Sequence, residues 1–556
     1  MKNTGSLTLA LSQWERGALV LCLAALVAGC GSCGKKTVAA HAGELSRYLP
    51  KDADAVLVVN DLGALGGKIA LLQRLKVASF TAQLQGFRDA QEYTSALMSQ
   101  IGVDLRSAEA MEKAGIDPGR GLGVALLSGD RAYSVLAVKD EGKLEDFLLR
   151  LSSMRMGAGV TNTKTDQGVT VTWFSRITGA SPALGYVMKN GHAFIAAGAS
   201  VPLLPSLVAL PEEKSLAQEP ALKAALARLP QERDLYVHVP AASSRAKGGG
   251  AAGATVSAHL AAKALTLVAD LPWTGPQEAL ALAKKQEGPE LFGALPPDAF
   301  LLGRFSGDPA LLAPYWASLV GPHLTKAFTE AGFDFKGEVL DNLKPGAAFA
   351  LSLSPGINLG GGVPELDVRR TNPFRYVHLS AVAEAKDGAK ASQTLAKIPP
   401  LAPRFGARIE AVERAGKKLY STTYSQGEGV HFAQAGNRVL FGAPMARLEE
   451  LLARAGGTSA PTGGPVADAA LRGVLDAHAG AMVLDLRRLA QSVQELPSQA
   501  WGIGGFAIKA TTLRWLAATD DLRAVTLALD AKENALQAEI RLALTEPPEG
   551  RGEGRE

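Results

Sequence analysis

This chain of 556 amino acids lacks the residues that disulfide bridges, metal sites and familiar catalytic motifs need. Its three cysteines are too few for a disulfide framework, and its eight histidines are spread singly. The sequence contains no H-E-x-x-H segment and no cysteine–histidine cluster at metal-ligand spacing. We therefore expect neither a metal nor any other cofactor.

A catalytic role also finds no motif to carry it. No G-x-S-x-G segment occurs, and the nearest string places Pro182 after Ser181, where a nucleophile elbow needs a backbone N–H. His238 and His378 lie in the similar strings Tyr-Val-His-Val and Tyr-Val-His-Leu, which we interpret as strand residues hydrogen-bonded to a neighbour. A hydrolase would need a histidine, an acid and a serine that the fold brings together. We assign no catalytic residue and expect a protein that is not an enzyme.

The balance of charge argues against a nucleic-acid partner. Without residues 1–29, which hold two basic residues and one acidic residue, the 58 basic and 54 acidic residues become 56 and 53. Aromatic residues make up only 6% of the chain, and no basic stripe with interleaved aromatics appears. The predicted surface is close to neutral, and we expect it to bind no nucleic acid.

The N-terminus has the pattern of an export signal. Lys2 and Arg16 precede an apolar run, and small residues follow it. A membrane-spanning helix needs about 20 apolar residues, whereas residues 17–29 number only 13. The run is therefore better suited to a cleaved signal peptide than to a membrane span.

The string Val27-Ala28-Gly29-Cys30 resembles the lipobox of bacterial lipoproteins. The resemblance implies that residues 1–29 are a signal peptide and that Cys30 becomes the first mature residue, with a thioether-linked diacylglycerol and an acylated amine. Several acyl chains together anchor a protein stably to a membrane. Gly31 follows the cysteine, which in two-membrane bacteria implies transport to the outer membrane. A plain signal peptide with a coincidental cysteine is the alternative.

Residues 30–44 are predicted to be a lipidated, flexible tether. Cys33 would be the only free thiol of the mature chain, because Cys22 leaves with the signal and Cys30 is a thioether.

Five pairs of matching segments in the same order predict that the rest of the chain is a tandem duplication. The first pair joins Leu49-Pro50-Lys51-Asp52-Ala53 to Leu295-Pro296-Pro297-Asp298-Ala299, and an apolar strand follows each. The other pairs are residues 118–128 with 345–352, 191–199 with 436–443, 221–223 with 470–472, and 264–270 with 524–530. We predict repeat domains at residues 45–290 and 291–545 and a disordered tail at 546–556. Two unrelated halves of similar composition are the alternative.

Each repeat is predicted to have an α+β fold. Asn190-Gly191 is a type I′ hairpin signal, and Gly436-Asn437 takes its place in the second repeat. Apolar residues at helical spacing follow the hairpins, as at Leu144, Phe147, Leu148 and Leu151. Asp52 and Asp298 recur at matching positions, which a turn role explains. We predict two similar repeats, each a mainly antiparallel sheet with helices packed on one face.

The mature chain resembles a group of bacterial envelope lipoproteins whose mature part opens with Leu-Pro-x-Asp-Ala and an apolar strand, here residues 49–59. No activity is established for that group, so the resemblance implies a location in the cell envelope and no catalytic residues. We predict a membrane-tethered, non-enzymatic envelope protein with a binding or scaffolding role. Its partners would be membrane lipid, through the acyl anchor, and an envelope protein. A periplasmic carrier of an apolar ligand or lipid is the alternative, and an envelope hydrolase is the third candidate.

Overall fold

The fold is described from a computed structural model. The described residues are 43–129, 131–166, 168–241, 253–261, 263–315, 322–353, 377–414, 416–424, 427–455, 464–496 and 505–545. The predicted signal peptide, Cys30, Cys33 and the predicted tail lie outside these ranges. The chain divides into two compact units between Pro272 and Trp273, called unit 1 and unit 2 below.

The boundary between the units lies before the predicted one at residues 290 and 291. The intervening segment belongs to unit 2 because its backbone is hydrogen-bonded there. Ala531 donates to the carbonyl of Ala283 at 2.6 Å, and Gln286 donates to that of Ser306 at 3.1 Å. The repeated Leu-Pro-x-Asp-Ala motif follows this segment, so the alignment of the two repeats could not place it.

Unit 1 contains ten strands and seven α-helices in its described part. The strands are β1 (Ala55–Val59), β2 (Leu122–Leu127), β3 (Arg131–Ala137), β4 (Val160–Asp166), β5 (Val169–Ser175), β6 (Leu184–Lys189), β7 (His192–Ala197), β8 (Leu235–His238), β9 (Thr255–Ala261) and β10 (Ala264–Pro272). The helices are α1 (Leu62–Leu72), α2 (Lys76–Leu84), α3 (Ala90–Ile101), α4 (Ala108–Lys113), α5 (Glu141–Met156), α6 (Leu204–Val208) and α7 (Pro220–Arg228). Short 3-10 helices span Ser46–Tyr48, Gly198–Leu203, Glu212–Lys214 and Leu216–Gln218.

The strands of unit 1 pair antiparallel throughout. Their order within the unit is β10-β9-β8-β1-β2-β3-β7-β6-β5-β4. Asn190 and Gly191 form the two-residue turn between β6 and β7, and both have positive φ, as a type I′ turn requires. The predicted hairpin turn is therefore confirmed.

The main core of unit 1 lies on one face of this sheet. Val56, Val58, Tyr133 and Phe194 form a buried cluster there with apolar side chains of α6 and α7. Tyr133 and Phe194 stack with ring centroids 6.4 Å apart. This burial removes large apolar side chains from water and fixes α6 and α7 against the sheet.

The opposite face of the unit 1 sheet also carries a helix. Tyr186 points away from the core cluster because its neighbour Val187 belongs to that cluster. The hydroxyl of Tyr186 donates to Glu145 on α5 at 3.0 Å. Leu57 and Val59, which alternate with the core residues of β1, are also buried. The prediction of helices on one face is therefore wrong, because β1 is apolar at every position and both of its faces need cover.

Unit 2 contains eleven strands and nine α-helices in its described part. The strands are β11 (Leu301–Phe305), β12 (Leu343–Leu353), β13 (Val377–Ala385), β14 (Ala407–Arg414), β15 (Lys417–Tyr424), β16 (Gly427–Glu428), β17 (His431–Ala435), β18 (Arg438–Ala443), β19 (Gly480–Asp485), β20 (Leu522–Lys532) and β21 (Ala535–Leu544). The helices are α8 (Gln277–Leu282), α9 (Pro322–Glu330), α10 (Phe335–Glu338), α11 (Gly388–Lys397), α12 (Met445–Ala455), α13 (Gly464–Ala467), α14 (Ala469–Ala477), α15 (Leu486–Glu495) and α16 (Gly505–Ala518). Short 3-10 helices span Phe292–Ala294, Pro309–Tyr315, Leu340–Asn342 and Pro399–Phe405.

The strands of unit 2 also pair antiparallel. Their order within the unit is β21-β20-β19-β11-β12-β13-β18-β17-β15-β14, and β16 adds a short pairing to β15. Both faces of this sheet carry helices as well. Leu440 on β18 packs with α12 and α14, whereas its neighbour Val439 packs with Leu395 on α11. The α+β class and the antiparallel pairing were correctly predicted.

Gly442 allows α12 to lie close against β18. A Cβ on Gly442 would lie 2.5 Å from the backbone nitrogen of Leu448 and 2.7 Å from its Cα. Because that obstacle is backbone, it cannot move aside as a flexible side chain could. The missing side chain of Gly442 therefore sets the distance between this helix and the sheet.

We predict that Gly442→Ala lowers the free energy of unfolding by about 1–3 kcal/mol, the usual cost of overpacking a core. Gly473→Ala is the matched control, because Gly473 lies on α14 and nothing approaches its Cβ position. That control should raise stability by about 0.5–1 kcal/mol, since alanine favours a helix over glycine. Urea unfolding measures both variants. Equal effects of the two substitutions would contradict the close approach.

Candidate functional site

A glutamate, a histidine and a threonine meet inside unit 1. Glu219 is the N-cap residue directly before α7, His238 ends β8, and Thr255 begins β9 directly opposite His238. Nε2 of His238 lies 3.0 Å from a carboxylate oxygen of Glu219, and Nδ1 lies 2.9 Å from the hydroxyl of Thr255. The fold therefore brings together an acid, a histidine and a hydroxyl, and His238 is a strand residue hydrogen-bonded to its neighbours, as predicted.

This trio has the order of contacts found in hydrolases but lacks access for a substrate. His238 and Thr255 are 0% exposed and Glu219 is 6% exposed. The second carboxylate oxygen of Glu219 accepts a hydrogen bond from the backbone nitrogen of Ala241 at 2.9 Å. A nucleophile must reach a reacting carbon, and a base must lie within about 2.6–3.2 Å of the proton it removes. In this conformation the trio is closed and joins α7 to β8 and β9.

A buried ion pair joins the other end of the same helix to the sheet. Arg228, the last residue of α7, donates to Asp270 on β10 through Nε at 3.0 Å and through Nη2 at 2.7 Å. Asp270 lies opposite Thr255 in the register of β9 and β10. Removing one member of such a pair leaves a buried charge, which is strongly destabilising. Both ends of α7 are thus tied to neighbouring strands by charged groups.

His378 lies in a different setting on β13. Its Nδ1 accepts a hydrogen bond at 3.0 Å from Nε of Arg447 on α12. Burial and the positive charge of Arg447 lower the pKa of His378, so the ring is neutral and acts as an acceptor. Arg447 also donates to Asp298 and, at 2.7 Å, to Glu450. His378 therefore accepts a hydrogen bond within an ion cluster that is centred on Arg447.

Asp298 lies in a turn before β11, as predicted, and its side chain also forms a contact that was not predicted. Its carboxylate pairs with both terminal nitrogens of Arg447, which is 149 residues further along the chain. Asp52, at the matching position of unit 1, is exposed. No local pattern predicts this pair, because the partner lies on a distant helix.

Comparison with known proteins offers no functional assignment. No protein-family model and no curated protein matches the chain. Among solved structures, "Structure of crystal form I of TP0453" matches 47% of this chain and 82% of that chain, with 9% sequence identity and a TM-score of 0.24. Because that score is low, the similarity supports no argument about this chain.

Three further histidines are held by neighbouring groups. His192 lies on β7 near Glu44, and its burial lowers the pKa of the imidazole. A hydrogen bond to Asp530 raises the pKa of His478. His431 accepts the backbone N–H of Thr422 at 3.0 Å. Within the described ranges, no group of three or more His, Cys, Asp or Glu residues is arranged to hold a metal ion.

One cavity in unit 2 has a volume of about 280 Å³ and lies between β15, β17 and α11. Its lining is largely polar, namely Ser392, Leu395, Lys417, Lys418, Tyr420, Gln434 and Gly436. This lining does not match an apolar ligand. The cavity therefore gives no support to a lipid carrier.

Unit 2 also exposes apolar side chains on its sheet. Met482 on β19, Leu527 on β20 and Ile540 on β21 are direct neighbours across the three strands, and each is about two-fifths exposed. They point away from the main core, because Val483 and Ala528, which alternate with Met482 and Leu527, belong to it. This row, called the β19–β21 row below, is an accessible part of the second face among the described residues.

The described residues include no helix long and apolar enough to cross a membrane. Cys30, the predicted lipidation site, lies outside the described residues.

We predict that Thr255→Val lowers the free energy of unfolding by about 1–3 kcal/mol, because it leaves a buried ring nitrogen of His238 unpaired. Thr526→Val is the matched control. Thr526 is buried on β20, but its cross-strand neighbour is Val483, and its side chain bonds to none of the described residues. Urea unfolding should show no loss of stability for the control, because valine replaces a buried hydroxyl that has no partner among the described residues. A cost for Thr526→Val as large as that for Thr255→Val would argue against the His238 hydrogen bond.

Proposed function

We propose that this protein is a non-enzymatic lipoprotein of the bacterial cell envelope, anchored through Cys30 and acting as a binding or scaffolding module. The observation that carries the binding role is the concentration of exposed apolar side chains in the last part of unit 2. Seven of the ten large apolar side chains exposed in the described ranges lie between residues 482 and 540. Clustered exposed apolar groups are typical of interaction surfaces, whereas isolated ones are ordinary.

The proposed location in the cell envelope rests on the sequence. The string that ends at Cys30 resembles a lipobox, and Gly31 favours the outer membrane as the final location. An acyl anchor would hold both units close to a membrane surface. Membrane lipid is therefore the first proposed partner, and an envelope protein is the second.

The absence of catalysis is supported by the closure of the Glu219–His238–Thr255 trio. Each member is engaged with another member, and the histidine and the hydroxyl are fully buried. A hydrolase would require this region to open before a substrate could reach Thr255. No observation on the described residues favours such an opening, so the hydrolase remains the weaker candidate.

We predict that Cys30→Ala abolishes lipid attachment and releases the protein from the membrane, because the thioether carries most of the membrane affinity. Metabolic labelling with a fatty-acid analogue, followed by membrane fractionation, measures this. Cys33→Ala is the matched control and should be labelled like the wild type. Equal labelling of Cys30→Ala and wild type would contradict the lipoprotein assignment.

We also propose that the two units are copies of one ancestral domain. The strand orders given above are the same when the strands of each unit are numbered from its own first strand, with β16 as an addition to unit 2. Ten strands can be arranged in very many orders, so a shared order argues for common origin. The units differ in the segment before their ninth strand. Unit 2 has α15 and α16 between β19 and β20, where unit 1 has residues 239–254.

The register supports the same proposal. Val56 lies opposite Ala125 and His238, while Leu302 lies opposite Ala350 and Val483. Two backbone hydrogen bonds also recur at these offsets. Asp54 donates to Leu126 and Phe300 to Leu351, whereas Asn60 donates to Asp234 and Ser306 to Ala479.

One of the five sequence matches does not fit this register. The match of residues 264–270 with 524–530 pairs β10 with β20, although β20 corresponds in strand order to β9. In the register, Thr255 corresponds to Thr526, an offset of 271 residues, against 245 for His238 and Val483, because unit 2 has the longer segment between these strands. The proposed duplication therefore rests on the other four matches and on the strand order.

An experimental structure of the mature chain tests the duplication. We expect the Cα atoms of five residues of unit 1 to superpose on five of unit 2, namely Val56, Ala125, Tyr133, Ala196 and His238 on Leu302, Ala350, Ser380, Gly442 and Val483. A different strand order in either unit, or a register that breaks these pairs, would contradict common descent.

A further inference from the structure

The β19–β21 row is the centre of a larger uncharged face of unit 2. Because Met482, Leu527 and Ile540 lie directly opposite one another across three strands, they share one face of the sheet. Three positions of each strand point to that face, and none of them carries a charged or polar side chain. They are Gly480, Met482, Leu484, Val525, Leu527, Leu529, Ala538, Ile540 and Leu542. These nine residues are called the unit 2 face below.

Strand β21 turns its apolar side toward this accessible face. Its apolar residues alternate with Gln537, Glu539 and Arg541, and those polar residues lie on the side of the main core, where Glu539 is opposite Ala528. A strand with one apolar side and one polar side normally exposes the polar side to water. The reversed alternation of β21 therefore indicates that the unit 2 face is built to be covered.

The apolar character of the face continues onto β11 and β12. Leu301 and Phe305 on β11 lie beside β19 on the same face and are partly exposed. Between them, the ring of Phe349 from β12 occupies the space where a Cβ of Gly303 would lie. Five neighbouring strands thus present about three outward positions each, which at ordinary strand spacings is on the order of 500 Å² of flat sheet.

The size of this face suits a weak contact between proteins. A standard interface buries about 800 Å² of accessible surface on each partner, and smaller ones are typical of transient complexes. Four of the nine side chains, namely Met482, Leu527, Leu529 and Ile540, are 38–43% exposed and would lose contact with water on binding.

The chemistry of the face favours a partner that is itself uncharged and apolar. None of the nine positions could pair with an acidic or basic partner, and none supplies the lysine or arginine that surfaces lying on a bilayer usually carry. A second copy of this chain presents the same face, and two sheet faces pack with their strands within about 30° of each other. Because β20 lies between β19 and β21, a two-fold axis at Leu527 would overlap all three strands.

We propose that the unit 2 face is a dimer contact, in which two copies of this chain pack face to face around a two-fold axis at Leu527. The proposal rests on the proposed function and deepens it, because it names the partner of a binding surface. Anchors at Cys30 would concentrate copies on one membrane, which strengthens a contact that is weak in solution. The contact itself needs no acyl chain.

Sedimentation velocity on the chain from Gly31 to Glu556 tests this. That chain keeps every described residue and lacks both the signal peptide and Cys30, so association is measured without the acyl anchor. We expect a reversible equilibrium between monomer and dimer, with a dissociation constant in the micromolar range.

Two substitutions in the unit 2 face address its role in the dimer. Leu527→Glu should weaken dimerisation at least about tenfold, because it buries two like charges at the axis. Met482→Gln is the milder variant, of similar shape, and should weaken dimerisation severalfold. Met154→Glu is the matched control, because Met154 is 73% exposed in unit 1, and it should dimerise like the wild type. Circular dichroism and urea unfolding check that every variant remains folded.

Cross-linking locates the axis. Cys33 is the one cysteine of the chain from Gly31 to Glu556, so Cys33→Ser gives a background without thiols. In that background, Leu527→Cys should be coupled into covalent dimers by a bis-maleimide linker about 10 Å long, the separation of packed sheets. Met154→Cys is the control and should give at least tenfold less cross-linked dimer.

Several results would overturn the proposal. These are a wild-type chain that is monomeric at every concentration, a folded Leu527→Glu variant that dimerises like the wild type, or equal cross-linking of Leu527→Cys and Met154→Cys. A monomeric chain that sediments with phosphatidylcholine vesicles, and no longer does so with Leu527→Glu, would assign the face to a bilayer instead. The labelling of Cys30 is measured separately, so failure of the dimer contact and failure of the lipoprotein assignment are distinguishable.

Discussion

The structure of each unit depends on a sheet that is apolar on both faces. Val56 and Val58 on β1 pack into the main core, and the alternate residues Leu57 and Val59 are also buried. A sheet of this kind must be covered twice, since each uncovered face would expose large apolar side chains to water. The helices therefore lie on both faces. The β19–β21 row lies where that cover is incomplete, so the same constraint that holds the fold together also produces the exposed apolar surface.

Charged groups within unit 1 act to fix helices rather than to perform chemistry. Helix α7 is preceded by its N-cap residue Glu219, which binds His238, and ends at Arg228, which binds Asp270. Buried charges are costly unless they are paired, and each of these pairs is completed by hydrogen bonds of ordinary length. Such pairs give α7 a specific position that apolar contacts alone would define less sharply. The trio that resembles a catalytic arrangement is one part of this attachment.

Local sequence patterns correctly predicted those elements that depend on residues close together in the chain. The I′ turn at Asn190-Gly191, the amphipathic helix α5 and the strand after each Leu-Pro-x-Asp-Ala motif were all predictable, because each depends on neighbouring residues. The ion pair between Asp298 and Arg447 was not, since its members are 149 residues apart. The Glu219–His238 contact was missed for the same reason. The second layer of helices was not predicted, because a short apolar strand does not by itself show whether one face of the sheet is covered or both.

The two units, if they descend from one domain, provide an internal test of what the trio does. The spacing that aligns Ala221 with Ala470 places Glu219 on Asp468, and the register places His238 and Thr255 on Val483 and Thr526. Unit 2 thus keeps an acid at the start of the helix and a threonine on the strand, but it has valine in place of the histidine.

Asp468 makes different contacts from those of Glu219. It caps α14 by accepting hydrogen bonds from the backbone N–H groups of Ala470 and Leu471, and it forms an ion pair with Arg523. Under the proposed duplication, the same strand order therefore occurs with and without the imidazole. A core position that accepts either histidine or valine is set by packing and local hydrogen bonding, which favours an attachment role for His238.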